Sequence, residues 1–184
     1  MPAFFAGIFF AFFSETKKMK KIVLSLMTIA FMGTSQAQTL SERDKKFILL
    51  AAEGGMMEAQ LGQYASQKAE SPKVRDLGKV MAGDHSTANE ELRGLASRKK
   101  TSLPANLSDK TQKEISVLKE KKGREFDEAY SKFMVQDHKD DITLFKEEAE
   151  KGDDPDVKAW AAKMLSTLER HKKLADETCG ILKK

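Results

Sequence analysis

From Ser41 onward, apolar residues return in alternating steps of three and four, the repeat of helices that each bury one stripe. The pattern predicts four long helices. The first covers residues 41–69 with Ser41 as its N-cap. The second opens at "SPKV", where Ser71 caps and Pro72 takes the first helical position, and it continues to residue 98. After the loop "KKTSLPAN" comes a shorter helix over 109–121, stopped by Gly123. The third long helix spans 124–150, and "KGDDP" separates it from a fourth that starts at Asp154-Pro155 and reaches residue 178. No segment shows sustained strand alternation. The predicted class is all-α: a four-helix bundle over residues 41–178, with an extra short helix between helices 2 and 3 and a tail over 179–184.

"SPKVRDLGKVM" (71–81) and "DPDVKAWAAKM" (154–164) share a cap, a proline, a valine and a methionine at matching positions. Either the bundle is two related hairpins or two amphipathic helix starts happen to look alike. The linking segment 99–123 lies across one end of such a bundle or runs along it, and the pattern allows both.

The stripes are apolar except near their middles. Helix 1 carries Phe47, Ala51, Gly54, Glu58, Leu61 and Ala65; helix 2 carries Leu77, Met81, His85, Ala88 and Leu92. Helix 3 carries Tyr130, Met134, His138, Asp141 and Phe145, and helix 4 carries Met164, Leu168, His171 and Ala175. Twice a histidine follows Met-x-x-Asp, in "MAGDH" and "MVQDH". At about 1.5 Å per residue, Glu58 lies roughly 18 Å before its turn and His85 roughly 22 Å after it; His138 and His171 lie roughly 21 and 28 Å from theirs. All three histidines of the chain and one glutamate therefore gather at the bundle's waist.

Burying imidazoles and a carboxylate is costly unless they share a partner. A transition-metal ion is one such partner, with Glu58, His85, His138 and His171 as ligands; zinc, copper or mononuclear iron suits that set. The other is a metal-free polar layer, with Asp84, Asp137 and Asp141 pairing the histidines. In the metal reading, Asp84 and Asp137, each about 100° round the helix from its own histidine, orient histidines on neighbouring helices, and Asp141 is an outer carboxylate or an extra ligand. Glu53 flanks the stripe as a weaker candidate. Gly54 and Gly55, inside a helix, permit close approach or room for a bound group.

Several classes lose support. Di-iron carboxylate enzymes need Glu-x-x-His on two helices, yet Ala82, Val135 and Leu168 stand three residues before the histidines. No Gly-rich phosphate loop, Ser-His-Asp set or Cys-x-x-Cys motif is present. Cys179 is the single cysteine, so no internal disulfide framework exists.

Residues 1–37 read as a leader. Lys20 and Lys21 precede an apolar run over 22–32, and Ser35-Gln36-Ala37 suits cleavage. Met19 is the expected start, with 1–18 an upstream extension; the rival is a longer leader or an N-terminal anchor. The run is shorter than the roughly 20 residues that span a bilayer. The leader holds four lysines and one glutamate, so it accounts for most of the formal +4 charge. No basic stripe with interleaved aromatics follows, which removes the main support for nucleic-acid binding.

"DKKFILLAAEGGMMEAQLGQYA", "SPKVRDLGKVMAGDHSTANEEL", "FDEAYSKFMVQDHKDDITLF" and "VKAWAAKMLSTLERHKKLADE" together resemble the domain of unknown function 4142 family of exported bacterial proteins. The resemblance implies a ferritin-like four-helix bundle, often labelled an outer-membrane or secreted protein, and implies no reaction. No β-barrel can be built from these segments, so an outer-membrane label means peripheral association. The sequence leads to an exported, periplasmic or envelope-associated bundle that binds one transition-metal ion for metal buffering or envelope stress protection. The competing expectation is a structural or interaction bundle with a metal-free waist. A redox enzyme rests on fold analogy alone.

Overall fold

The structure, a computed structural model, describes residues 40–182, and every regular element among them is a helix. These are α1 (Glu42–Lys68), α2 (Pro72–Arg98), α3 (Asp109–Glu120), α4 (Gly123–Lys151) and α5 (Pro155–Leu182). The leader expected over residues 1–37 lies outside the described residues. The last helix continues past Thr178 to Leu182.

Local chemistry sets the ends. The Ser41 hydroxyl accepts from the Asp44 amide at 3.2 Å, and the Ser108 hydroxyl does the same for Thr111 at 3.3 Å. Asp154 caps α5, its Oδ1 accepting from the amides of Asp156 and Val157. Ser71 stands at the cap position of α2, yet its side chain makes no cap bond. Its amide is engaged elsewhere.

That engagement explains how the two hairpins, α1–α2 and α4–α5, lock together. Asp127 at the start of α4 accepts from the amides of Glu70 and Ser71 at 3.1 and 2.6 Å, clasping the α1–α2 turn. Asp44 at the start of α1 accepts from Asp153 and Asp154 at 2.9 and 3.0 Å, clasping the α4–α5 turn. Donors and acceptors in the two clasps correspond at a constant sequence offset of 83, the same offset that relates Pro72 to Pro155 and Met81 to Met164. The chain is therefore two related hairpins that grip each other's turns.

The core is divided. One apolar cluster contains Phe47, Ile48, Leu92, Leu95, Phe145, Val157 and Ala161; the other contains Leu61, Ala65, Val74, Leu77, Phe126, Tyr130 and Ala175. The early part of α1 thus shares one end with the late part of α2 and α4, so the two turns lie at opposite ends. Residues 99–122 must then run the length of the bundle, the single long crossover of ferritin-like topology. Glu53 anchors this crossover, accepting from the Ser108 amide at 3.1 Å and the Thr111 hydroxyl at 2.6 Å. That use takes Glu53 out of the ligand set.

Gly62 and Gly78 mark where α1 and α2 touch backbone to backbone. A Cβ on Gly62 would sit 2.7 Å from the Ala82 nitrogen, and one on Gly78 would sit 2.6 Å from the Ser66 nitrogen. The crossing lies one turn from Glu58 along α1 and two turns from His85 along α2, so it sets how closely those two side chains approach.

Candidate metal centre

Between the apolar clusters lies a layer of histidine and carboxylate. His138 and His171 have no solvent exposure, Glu58 is 1% exposed and His85 4%. His138 Nε2 lies 3.4 Å from His85 Nε2 and 3.2 Å from His171 Nδ1. The ligand nitrogens of the three rings all fall within 4.8 Å of one another.

Their outer nitrogens determine where the protons are. His138 Nδ1 donates to the Met134 carbonyl at 3.0 Å, which leaves Nε2 without a hydrogen in the neutral ring. His171 Nε2 donates to Asp84 Oδ2 at 2.8 Å, which leaves Nδ1 bare. Arg170 donates to the same Asp84 oxygen at 2.7 Å. Burial alone would raise Asp84, but these two bonds outweigh it and hold the carboxylate below its usual range. Asp84 can therefore only accept. His85 Nδ1 lies 2.9 Å from Glu58 Oε2, and with a carboxylate there its Nε2 is bare too. A protonated Glu58 would reverse the His85 tautomer, but the contact between His138 and His171 pairs two bare nitrogens in either case.

No proton relieves that contact near neutral pH. Burial first, then the neighbouring imidazoles, holds His138 down at about 3. Burial lowers His85 to about 4, and it lowers His171 to about 4 despite the bond from Asp84. His138 Nε2 and His171 Nδ1 face each other, buried, with no hydrogen between them, and a buried acceptor left unmatched costs about 1–3 kcal/mol. A cation removes the conflict. Zinc–nitrogen bonds of about 2.0–2.1 Å in a tetrahedron separate the nitrogens by about 3.3–3.4 Å. The observed 3.2 and 3.4 Å fit that spacing. The outer bonds to Met134, Asp84 and Glu58 are the kind that orient metal-binding imidazoles.

The structure places Glu58 at the edge of the trio and not within it. Its Oε1 lies 3.4 Å from His138 Nε2, and it belongs to a second group in which the ligand atoms of Glu58, Asp137 and His138 lie within 4.8 Å of one another. Burial, followed by the charge of Asp141, pushes Glu58 well above the usual carboxylate range. Burial and then Glu58 do the same to Asp137. Burial and then Asp137 raise Asp141 to about 7. Asp84 thus serves His171 across a helix pair, whereas Asp137 and Asp141 gather around Glu58. A cavity of about 20 Å³, lined in part by Glu58, His85, Asn89 and Asp141, adjoins this group; that is room for about one water.

Three residues that bear on the centre are not apparent from the stripes. Tyr130 reads as core, yet its hydroxyl is buried without a partner and feels the charges of Glu58 and Asp137. Its position seven residues before Asp137, on the same helical face, is the available signal. Gly62 and Gly78 stand eight residues either side of Glu70, a symmetry that marks a close hairpin crossing.

The family model for domain of unknown function DUF4142 matches residues 30–178. Among solved structures, the crystal structure of a DUF305 fragment from Deinococcus radiodurans is similar at a TM-score of 0.67 and 11% identity, over 77% of this chain and 97% of that one. At that identity the likeness concerns the fold alone, an all-α ferritin-like bundle. No curated protein matches the chain.

Proposed function

The chain belongs to the DUF4142 family, a membership that carries no reaction, and from its buried His/Glu cluster we propose that it is an exported metal-binding bundle. One transition-metal ion is held by His85 Nε2, His138 Nε2 and His171 Nδ1, with the Glu58 carboxylate at the rim. The observation that carries this reading is the 3.2 Å contact between two hydrogen-free nitrogens on His138 and His171. Imidazole is a good ligand for zinc, copper and iron, and the buried, positioned set suits retention better than turnover. Metal buffering or protection of the envelope under metal stress is the role that fits. Residues 19–37 direct export, and the mature domain works in the periplasm or in peripheral association with the envelope. No helix among the described residues is long and apolar enough to cross a membrane.

The test uses untagged protein stripped with chelator and then melted with and without zinc or copper salts. Saturation at 100 times Kd stabilises the folded state by about 2.7 kcal/mol, or about 8 °C at roughly 3 °C per kcal/mol. The combined His85→Ala and His171→Ala variant should lose the shift. An unchanged melting point for the native protein on adding either salt, with no metal retained after dialysis, leaves a structural polar layer as the better account.

A further inference from the structure

Charge is unevenly divided along the chain. The crossover, residues 99–124, holds eight lysines and arginines against three acids, whereas the rest of residues 38–184 holds 20 against 24. Part of the excess is neutralised locally. Lys99 is held by Asp154 and Asp156 at 2.7 and 2.6 Å, and Lys121 and Arg124 pair with Glu125 and Glu128. Lys100, Lys110, Lys113 and Lys122 are exposed. Lys110 lies 3.9 Å from Glu114, and Lys113 makes no ion pair among the described residues.

Between α3 and α4 some of these lysines border an open groove of about 450 Å³. Its apolar lining is Val117, Leu118 and Phe133; its charged lining is Lys110, Lys113 and Lys121, with Glu114 the single acid. Residues 110, 113, 117 and 121 recur in steps of three and four, so they share one face of the helix, while Ile115 is buried in the core. Val117 is 53% exposed, more than any other large apolar side chain among the described residues.

The envelope reading above supplies a bilayer, and on that basis we infer that this face of α3 docks on a membrane surface rich in anionic phospholipid. The partner must offer negative charge and apolar contact within the width of one helix. The headgroup region of such a bilayer does both: phosphates meet the lysine ammonium groups, the lysine stems lie along the boundary, and Val117 reaches the first carbons of the acyl chains. Each lysine near an anionic surface strengthens binding by about fivefold. A second copy of the chain fits less well. A twofold contact through this face would set lysine against lysine, and docking it on the acidic remainder of a neighbour makes a head-to-tail contact that does not close. Single-stranded nucleic acid stacks its bases on exposed aromatic rings, and residues 99–124 contain none.

Vesicle sedimentation tests the assignment. Untagged protein is spun with vesicles of equal parts phosphatidylglycerol and phosphatidylcholine, and with vesicles of phosphatidylcholine alone. Native protein should prefer the anionic vesicles and should leave them at about 1 M salt, where the Debye length falls to about 3 Å. Lys110→Gln with Lys113→Gln should weaken binding by about 25-fold, and Val117→Asp should weaken it too. Lys146→Gln with Lys151→Gln, the same change of charge at exposed positions of α4, should leave it unchanged. All the altered side chains are exposed, and a retained cooperative melt shows that each variant folds. No sedimentation with the anionic vesicles overturns the proposal. Equal loss in both lysine pairs also overturns it, because net charge alone would then be the attraction, as does salt-resistant binding that the α3 variants leave intact. A dimer in velocity sedimentation that Val117→Asp dissociates, with no vesicle binding, would give the face to a second copy. The other readings fail separately: fractionation that finds the chain in the cytoplasm overturns the envelope reading and leaves the lipid-binding face standing, and a missing zinc shift overturns the metal reading alone.

Discussion

Glu58→Gln should move the protein in two opposite directions. In the native chain, Glu58 Oε1 is buried without a donor and lies 3.4 Å from His138 Nε2, itself an acceptor. Glutamine keeps the shape. Its carbonyl oxygen still accepts from His85 Nδ1, now 2.9 Å from Glu58 Oε2, and its amide hydrogens point at His138 Nε2 and toward Asp137. A buried acceptor without a donor costs about 1–3 kcal/mol, so at alkaline pH, where Glu58 is ionised, the metal-free variant should be more stable than the native protein by that amount. At roughly 3 °C per kcal/mol for a domain of this size, melting in chelator rises by about 3–9 °C. Binding changes the other way, because a neutral amide replaces a carboxylate at the rim. A tenfold loss in zinc affinity, about 1.4 kcal/mol, should shrink the zinc-induced shift by about 4 °C. Scanning calorimetry of both proteins, in chelator and in zinc, reads both effects. A variant that melts lower than native in chelator and keeps the full zinc shift refutes the reasoning, because Glu58 would then be a satisfied structural group.

Three further outcomes follow from other parts of the structure. Asp84→Ala removes the acceptor that fixes the His171 tautomer, so zinc affinity measured by competition with a chromophoric chelator should fall about 10- to 100-fold; unchanged affinity would show that His171 needs no orientation. Gly62→Ala drives a methyl group to 2.7 Å from the Ala82 nitrogen, and the backbone contact has no flexible side chain to give way. It should lower stability by about 1–3 kcal/mol in urea unfolding and weaken zinc binding, whereas an alanine at the open position of Gly83 should not. Burial, followed by its contact with Asp44, raises Glu148 to about 7. Its folded pKa exceeds the unfolded one, so the folded state holds the extra proton between about 4.5 and 7, and stability from this group is lost as pH rises through that window. Glu148→Gln should therefore raise the melting point relative to native at pH 8 and leave it nearly unchanged at pH 4; an equal shift at both would sink the assignment.

The helices and the level of their polar residues were readable from the sequence because both depend on short-range regularities. Stripe position follows from 3.6 residues per turn, and height follows from rise per residue. His85, His138 and His171 meet for that reason, and the larger height offset of His171 is eased because side chains lean toward the N-terminus of their own helix, which on antiparallel α4 and α5 brings the two rings toward one level. The clasps of Asp44 and Asp127 were not readable, since each joins amides far away in sequence and looks like any acidic residue in a first helical turn. The same holds for Ser71, whose capping role depends on whether its surroundings leave its hydroxyl in position. The path of residues 99–122 depends on which ends the two turns occupy, and no local pattern carries that. Tyr130 illustrates a different gap: periodicity places the ring correctly in the core, but where a single hydroxyl points is a matter of ångströms.

A cation is the common partner that the three rings require. Crystals of the stripped protein soaked in zinc, with diffraction collected on both sides of the zinc absorption edge, test this most directly. The expected result is an anomalous peak within bonding distance of His85 Nε2, His138 Nε2 and His171 Nδ1, with each ring's other nitrogen still held by Glu58, Met134 or Asp84. Zinc found only on surface carboxylates, with the three rings unmoved and no peak between them, would contradict it.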